Sequence, residues 1–457
     1  MADRRTAREA AAMVLGPGTG TELPDPGGSF PVDGPLGWQG YDATRARAAE
    51  RTGERESVVC VTGRIGATEA VVLSFEFGFL GGSLGERTGD RLESAYRLAR
   101  ERRLPVVSLI ATGGSRMQEG MRALRQLQRV AREMALTRAA GLAQLAVARD
   151  PTTGGGWATL GAGADVVLAL PGAQIGFAGS RVRPPGADPA AYTAEAQYAA
   201  GQLDAVVPEA GLAAAVGRWL ALLTGGTAEP GPAEPPAALG RGTPGAGRSP
   251  VTGWDAVVAA RDPGRPRAEA YVAAYFDHSE EIRGDRCGGT DPGMRCGFGR
   301  RGGRTVAYAA QCGTATLPAG YRTATRLIRL AERLGIPVLT LVDTPGAAND
   351  EGAERAGAGA ALAELFAAVA TARVPVTTLL IGEGGSGGAL ALSAPENTWA
   401  TPDSYFSVIA PELATAILKR DPGRIRATAD QLRLRPTDLV SLGVVRGIVP
   451  TQGGAGG

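Results

Sequence analysis

The chain has 457 residues, of which 44% are hydrophobic and 21% are charged, and its net charge is +2. This length predicts two or three domains, and the nearly neutral charge gives no general attraction to nucleic acid or to a membrane surface. Four cysteines make no disulfide framework, and we find no apolar run long enough to span a bilayer and no signal peptide, so we expect a cytoplasmic protein. The single histidine, His278, and the single lysine, Lys419, exclude a three-histidine zinc site and a GxxxxGK[ST] phosphate loop.

Low-complexity segments divide the chain into two parts of similar length. Residues 1–30 are rich in alanine, glycine and proline, which predicts a disordered tail. Residues 225–250 are dominated by proline, glycine and alanine without an apolar period, which predicts a linker. We therefore expect one domain at residues 31–224 and a second at residues 251–451.

The two parts match each other in sequence. Pro105 corresponds to Pro337 and Ala178 to Ala410, a constant offset of 232 positions. A register kept over such a distance predicts an internal duplication or a fusion of two related subunits.

Both parts also predict the same order of elements. The predicted elements are a helix (90–103 or 320–334), a strand (Val106–Ile110 or Val338–Val342), a second helix (116–140 or 350–372) and a second strand (Ala143–Ala148 or Val376–Ile381). Strands that alternate with helices are typical of an α/β fold with mostly parallel strands.

Glycine clusters follow the predicted strands. They are Gly113–Gly114, Gly154–Gly156, Gly346 and the run at 382–388. Where a strand ends and a helix begins, free N–H groups point outward, and glycine lets a ligand approach them closely. Two such loops side by side can form an oxyanion hole. The alternative is that these glycines only make tight turns and close packing.

Longer motifs give the clusters a family context. The first part contains FEFGFLGGSLGERTG (75–89), ATGGSRMQEG (111–120), DPTTGGGWAT (150–159) and GAQIGFAGSRV (172–182). The second part contains WDAVVAARDPGRPRAEAYV (254–272), GDR (284–286), LVDTPGA (341–347), IGEGGSGGALAL (381–392) and YFSVIAPE (405–412). With these motifs, residues 38–210 resemble the β subunit of bacterial acetyl-CoA carboxylase carboxyltransferase, and residues 252–450 resemble its α subunit. The resemblance implies two crotonase-like α/β domains, related by duplication.

The resemblance also implies an activity. The family transfers CO2 from N-carboxybiotin to the α-carbon of an acyl-CoA such as acetyl-CoA, through an enolate. Neither a biotinyl-lysine motif nor an ATP-binding half is visible here, so biotin is expected on a separate carrier protein that a separate biotin carboxylase loads. The family builds its active site from two protomers, which implies a homodimer or a higher homo-oligomer.

The resemblance implies two oxyanion holes, one in each half. The residues implied for the acyl-CoA hole are Gly113, Gly114, Gly154 and Gly155. Those implied for the biotin side are Gly387 and Gly388, with Gly346, Gly384 and Gly385 beside them. Three arginines beside the first-half loops are candidates to bind CoA phosphates: Arg87, Arg91 and Arg116. A solvated helix face is the alternative for these arginines.

Two departures from the family stand out. The β subunit usually carries an N-terminal four-cysteine zinc ribbon, but residues 1–30 contain no cysteine, so no zinc is expected. Cys312 stands where the α subunit usually has a lysine, close to the expected biotin end.

Two other functions stay open at this point. One is a biotin-independent decarboxylase of a malonyl- or β-keto-type thioester or acid, in secondary metabolism such as polyketide biosynthesis. The other is a non-catalytic scaffold subunit. The scaffold is disfavoured because it would have no use for paired glycine loops.

Overall fold

The computed structural model describes residues 5–240 and 250–452. The chain divides into two compact units. The first unit contains the residues up to Thr224 together with Arg286–Gly288, and the second contains Gly225–Asp285 and the residues from Gly289 onward. Part of the predicted tail (residues 1–4), part of the predicted linker (residues 241–249) and the glycine-rich end (residues 453–457) lie outside the described residues.

The first unit is built around one sheet. Its strands are β1 (Thr21–Glu22), β2 (Val58–Ile65), β3 (Thr68–Phe75), β4 (Val106–Thr112), β5 (Gln144–Thr153), β6 (Val166–Ala169), β7 (Ile175–Gly176) and β8 (Ala205–Val206). Its helices are α1 (Ala7–Val14), α2 (Tyr41–Thr52), α3 (Glu86–Arg102), α4 (Gly120–Ala139), α5 (Gly154–Gly156), α6 (Ala194–Ala199) and α7 (Glu209–Leu223). The strand order is β1-β2-β3-β4-β5-β6-β8, with β7 paired to β5, and the strands from β3 to β8 are parallel.

The second unit has the same plan. Its strands are β9 (His278–Ile282), β10 (Met294–Arg301), β11 (Arg304–Gln311), β12 (Val338–Thr344), β13 (Val376–Gly385), β14 (Thr398–Ala400), β15 (Tyr405–Ser407) and β16 (Gly447–Ile448). Its helices are α8 (Gly253–Arg261), α9 (Ala268–Tyr275), α10 (Pro318–Leu334), α11 (Glu351–Arg355), α12 (Ala358–Ala370), α13 (Ser386–Leu390), α14 (Pro411–Ile417), α15 (Ile425–Gln431) and α16 (Pro436–Ser441). The strand order is β9-β10-β11-β12-β13-β14-β16, with β15 paired to β13.

The two sheets agree down to their irregularities. In the first, the β4–β5 pairing shifts register just before Thr112, which pairs with Thr152. In the second, the β12–β13 pairing shifts just before Thr344, which pairs with Gly384. The predicted α/β fold with an internal duplication is therefore confirmed, and the shifted ends carry the glycine loops.

Burial explains why these segments form strands and helices. All seven residues of β4 and all seven of β12 are buried, as expected for parallel strands covered on both faces. The helices bury one face against the sheets; in α10 the buried face includes Leu327, Ile328 and Ala331. Within residues 5–240 and 250–452, no helix is both long and apolar enough to cross a bilayer.

The predicted disordered tail is wrong at Ala7–Val14, which forms α1, and at Thr21–Glu22, which forms β1. Thr6 and Glu9 form a reciprocal capping box at the start of α1, which buries Ala7 and Ala10. The helix is fixed to the first sheet, because the Ala7 N–H donates to the side chain of Glu76 at 2.7 Å.

The predicted linker is also wrong over residues 225–240, which belong to the second unit. Ala233 and Ala238 are buried, because their small side chains pack closely onto the core. Thr377 donates a side-chain hydrogen bond to the Ala233 carbonyl at 2.7 Å, and the Ala238 N–H donates to the Pro450 carbonyl at 2.8 Å.

Candidate active site

The first pair of glycine loops lies at the carboxyl ends of neighbouring strands. Gly113 and Gly114 follow β4, and Gly154 opens α5 after β5. Gly154 has a φ of +62°, and a Cβ at this position would lie 2.9 Å from the Cα of Gly114. Glycine is therefore required, because an alanine would force the two loops apart.

Most of the predicted N–H donors of this pair already have acceptors in the chain. The acceptors are the Gly81 carbonyl for Gly113 (2.9 Å), the Thr112 hydroxyl for Gly114 (3.1 Å) and the Phe177 carbonyl for Gly154 (3.1 Å). Gly155 is the second residue of α5, where an N–H has no acceptor inside the helix. Of the four predicted glycines, Gly155 is thus the one whose amide is placed to serve a ligand.

The second pair of loops repeats this geometry. Gly346 follows β12, and its N–H donates to the Thr344 hydroxyl at 3.1 Å, as Gly114 does to Thr112. Gly388 lies in α13, and a Cβ there would collide with the backbone nitrogen of Ala347. The predicted Gly346 and Gly388 are thereby brought into contact.

The biotin-side glycines differ in their surroundings. Gly384 and Gly385 end β13, paired with Phe406 and Ser407 of β15. By contrast, a Cβ at Gly387 would meet no atom of the described chain within 4 Å. A ligand can therefore approach the backbone at Gly387.

At the offset of 232 positions, the predicted pair Gly154–Gly155 and the predicted pair Gly387–Gly388 differ in alignment by one residue. Gly154 corresponds to Ser386, an exposed residue with a φ of +55°, so the second half keeps the left-handed conformation without glycine. Gly387 therefore corresponds to Gly155. The constant offset was the signal that could have revealed this.

Arg116 cannot bind a CoA phosphate, and this prediction is wrong. Its side chain is fully buried and pairs with Glu56 and with Glu119 (3.3 Å). Burial opposes the charge of Glu56, but Arg116 outweighs this effect and lowers the pKa of Glu56. The Tyr41 hydroxyl donates to Glu119 at 2.6 Å, so the charged groups of this cluster find their partners within the core.

Arg87 and Arg91 are placed differently. Both lie at the start of α3 with side chains 17% and 13% exposed, and both pair with the carboxylate of Asp25. Arg91 also donates to the Val58 carbonyl at 3.0 Å, at the sheet edge where the glycine loops lie. A phosphate could bind them by replacing Asp25, which is 40% exposed.

A buried charge cluster, which the sequence did not predict, supports the biotin-side loops. The Asp343 carboxylate is fully buried, pairs with Arg265 and contacts Arg267 at 3.4 Å. Burial raises the pKa of Asp343, and Arg265 opposes this shift. Asp343 also accepts the Glu383 N–H at 3.1 Å, which fixes the glycine run to the end of β12.

The described part of the chain holds no group of three or more His, Cys, Asp or Glu side chains arranged for a metal ion. Cys60 and Cys296 are buried, whereas Cys287 is exposed. The expectation of no zinc stays a prediction.

Two family models match the chain, one in each half. Residues 37–207 match the family described as carboxyl transferase domain, and residues 248–456 match acetyl co-enzyme A carboxylase carboxyltransferase-like. A Saccharopolyspora erythraea protein named acetyl-coenzyme A carboxylase carboxyl transferase subunits beta/alpha is 41% identical and covers 91% of this chain and 75% of its own length. A Salinispora tropica protein of the same name is 38% identical over 96% of this chain and 81% of its own length.

Another relative carries a different name. A Mycobacterium bovis protein called probable biotin-dependent acyl-coenzyme A carboxylase beta3 subunit is 33% identical over 90% of this chain and 83% of its own length.

Solved structures share the fold. Transcarboxylase 12S, described as a hexamer assembly with hydrolysed methylmalonyl-coenzyme A bound, aligns with a TM-score of 0.79 at 20% identity, covering 98% of this chain and 87% of its own. A single-chain, multi-domain long-chain acyl-CoA carboxylase aligns with a TM-score of 0.74 at 21% identity, covering 98% of this chain and 45% of its own. The chain therefore belongs to the acetyl-CoA carboxylase carboxyltransferase family, with a β-like half followed by an α-like half, and it is an acyl-CoA carboxyltransferase.

Proposed function

We propose that this chain moves a carboxyl group between N-carboxybiotin, held on a separate carrier protein, and the α-carbon of acetyl-CoA or a related acyl-CoA. One observation carries the proposal: each unit has a pair of contacting glycine loops at equivalent strand ends. Two anions form in this reaction, the thioester enolate and the ureido anion, and each needs N–H donors. One pair of loops is available for each.

On the acyl-CoA side, Gly155 would donate its N–H to the thioester oxygen as the enolate forms. Gly113, Gly114 and Gly154 would shape the loops rather than donate, because their N–H groups are engaged. Backbone donors that are fixed before the reaction stabilise the developing charge without reorganisation. The single histidine is then no obstacle to catalysis, since carboxybiotin supplies both the CO2 and the group that takes up the α-proton.

On the biotin side, Gly387 and Gly388 would receive the ureido oxygen. The open space over Gly387 leaves room for a ligand, while Gly346, Gly384 and Gly385 pack against the loop and support it. The carrier protein and the biotin carboxylase that loads it would be separate chains.

At least two copies of the chain would associate. Large apolar side chains are exposed near the glycine loops of both units, such as Met117 (78%) and Phe177 (74%) in the first and Val408 (73%) in the second. Exposed apolar surface beside a site is typical of an interface. We propose a second copy as the partner at these surfaces.

The test is to incubate the purified chain with malonyl-CoA, with and without free biotin, and to follow acetyl-CoA. Biotin-dependent loss of the carboxyl group is the reverse of the proposed reaction and is the expected result. Loss at the same rate without biotin would contradict the proposal in favour of a biotin-independent decarboxylase. Absence of any product from malonyl- and methylmalonyl-CoA would contradict both.

Arg91 is expected to contribute to binding of the CoA moiety. Arg91→Gln should raise the KM for malonyl-CoA about ten-fold, as for the loss of one charge-assisted hydrogen bond, with kcat little changed. The control is Arg102→Gln, an arginine at the other end of α3 that pairs with Glu69 at 2.7 Å. Steady-state kinetics with an unchanged KM in Arg91→Gln would remove Arg91 from the site.

A further inference from the structure

The carbonyl group of Gly388 does not take part in the hydrogen-bond ladder of its own helix. In α13 the Ala391 N–H donates to the Gly387 carbonyl at 2.9 Å, but the Leu392 N–H donates to Ala389 at 3.3 Å. The Gly388 carbonyl instead accepts from two side chains, Gln311 Nε2 at 3.1 Å and the Tyr321 hydroxyl at 3.2 Å.

Both side chains are completely buried, and one of them is imperfectly satisfied. Gln311 and Tyr321 are 0% exposed. The Gln311 amide also donates to the Thr316 hydroxyl at 3.2 Å, while its Oε1 has no hydrogen-bond partner among the described residues. An unpaired buried acceptor is destabilising, so stability alone would favour an apolar residue here. The glutamine therefore has a geometric task, which is to present its N–H group to a carbonyl that can only accept.

Among the described residues of the other half, no equivalent side-chain pair is present. Val71 pairs with Val106 in the first sheet as Ala307 pairs with Val338 in the second, so Phe75 is the counterpart of Gln311. The position of Tyr321 is taken by Gly89. The support is therefore specific to the second half.

The second half needs this support because its loop is nearly all glycine. Residues 384–388 contain four glycines and Ser386. Glycine has the largest backbone freedom of any residue, and the N–H groups of an unsupported run would sample many orientations. Because the peptide unit is planar, fixing the Gly388 carbonyl fixes the plane of the peptide unit between Gly388 and Ala389. This limits rotation about the backbone bonds of the glycine run that precedes it.

We infer that Gln311 and Tyr321 are positioning residues, which hold the Gly387 and Gly388 N–H groups in the orientation that receives the ureido oxygen of biotin. This inference rests on the proposed function. It separates the two substrates: disturbing the pair affects the biotin side, while the acyl-CoA side, built by the first unit, keeps its own loops.

The test uses the full chain with Gln311→Met, which removes the donor at similar length, and Tyr321→Phe, which removes one atom. Transfer from malonyl-CoA to free biotin is measured at varied concentrations of each substrate. Each variant is expected to lower kcat/KM for biotin about ten- to hundred-fold, with the KM for malonyl-CoA within two-fold of wild type. Gln311→Met is also expected to melt no lower than wild type, since it removes the unpaired acceptor.

The matched control is Tyr308→Phe, a buried tyrosine of β11 whose ring packs 5.3 Å from that of Phe276 and whose hydroxyl faces Gly297. It should keep wild-type kcat/KM for biotin. An unchanged kcat/KM for biotin in Tyr321→Phe, or a rise of about ten-fold or more in the KM for malonyl-CoA, would overturn the inference. If wild type itself releases acetyl-CoA equally without biotin, the proposed function fails instead, and the two failures are distinguishable.

Discussion

Gly154→Ala is expected to lower kcat for carboxyl transfer by about 10²–10³-fold, the usual cost of losing one oxyanion-hole donor. Two effects act together. The residue needs a φ of +62°, which costs alanine about 1 kcal/mol, and its Cβ would lie 2.9 Å from the Gly114 backbone. Because the clash is with backbone atoms and not with a flexible side chain, the start of α5 must move, and the Gly155 N–H moves with it.

The control for this variant is Gly217→Ala. Gly217 lies inside α7, and a Cβ there would meet no described atom within 4 Å. Replacing it should leave kcat unchanged and raise stability slightly, as for glycine to alanine in a helix. Kinetics and thermal melts on both variants separate misplacement of the loop from unfolding. Wild-type kcat in Gly154→Ala would refute the assigned role of these loops.

Arg116→Met is expected to lower the free energy of unfolding by about 3–5 kcal/mol, because it leaves buried carboxylates unpaired. Glu56 is 1% exposed and has Arg116 as its ion-pair partner. In the wild type the lowered pKa of Glu56 stabilises the fold above the pKa of the unfolded chain and this contribution is lost as the pH falls through the folded pKa. The variant lacks this contribution, so the difference in the free energy of unfolding between wild type and variant should be largest at neutral pH.

Urea unfolding at pH 7 measures this effect, and a second substitution sharpens it. Glu56→Leu in the Arg116→Met background removes the stranded charge and should recover part of the lost stability. Arg97→Met, at an exposed arginine of α3 that pairs with Glu93, should change little. A small effect of Arg116→Met would mean that the charge cluster does not stabilise the fold.

The duplication made most of the fold predictable from the sequence. The offset between Pro105 and Pro337 places β4 opposite β12, and the glycines after both strands mark the edge where the loops meet. Helix α1 was missed although its signal was present, since Thr6 and Glu9 have the spacing of a capping box.

The site was harder to predict, because the decisive contacts join distant residues. Arg116 looks like a phosphate ligand in sequence, but Glu56, sixty residues earlier, buries and neutralises it. The glycines show where backbone amides gather, but not which of them already have an acceptor. The Gly114 N–H donates to the Thr112 hydroxyl, whereas the Gly155 N–H, in the first turn of α5, has no acceptor inside its helix. Gln311 and Tyr321 meet at a carbonyl of Gly388 that no local pattern indicates.

The position of α1 also bears on how the chain is made. This helix packs against α7, and Arg5 before it pairs with Glu209 of α7 at 2.9 Å. The packing of α1 thus depends on a helix that is translated much later, since α7 ends at Leu223. Because domains fold as units during synthesis, α1 can pack on β3 early, but its contacts with α7 form only after nearly the whole of this part of the chain has been translated. The packing of α1 in this half is therefore complete only once α7 has been made.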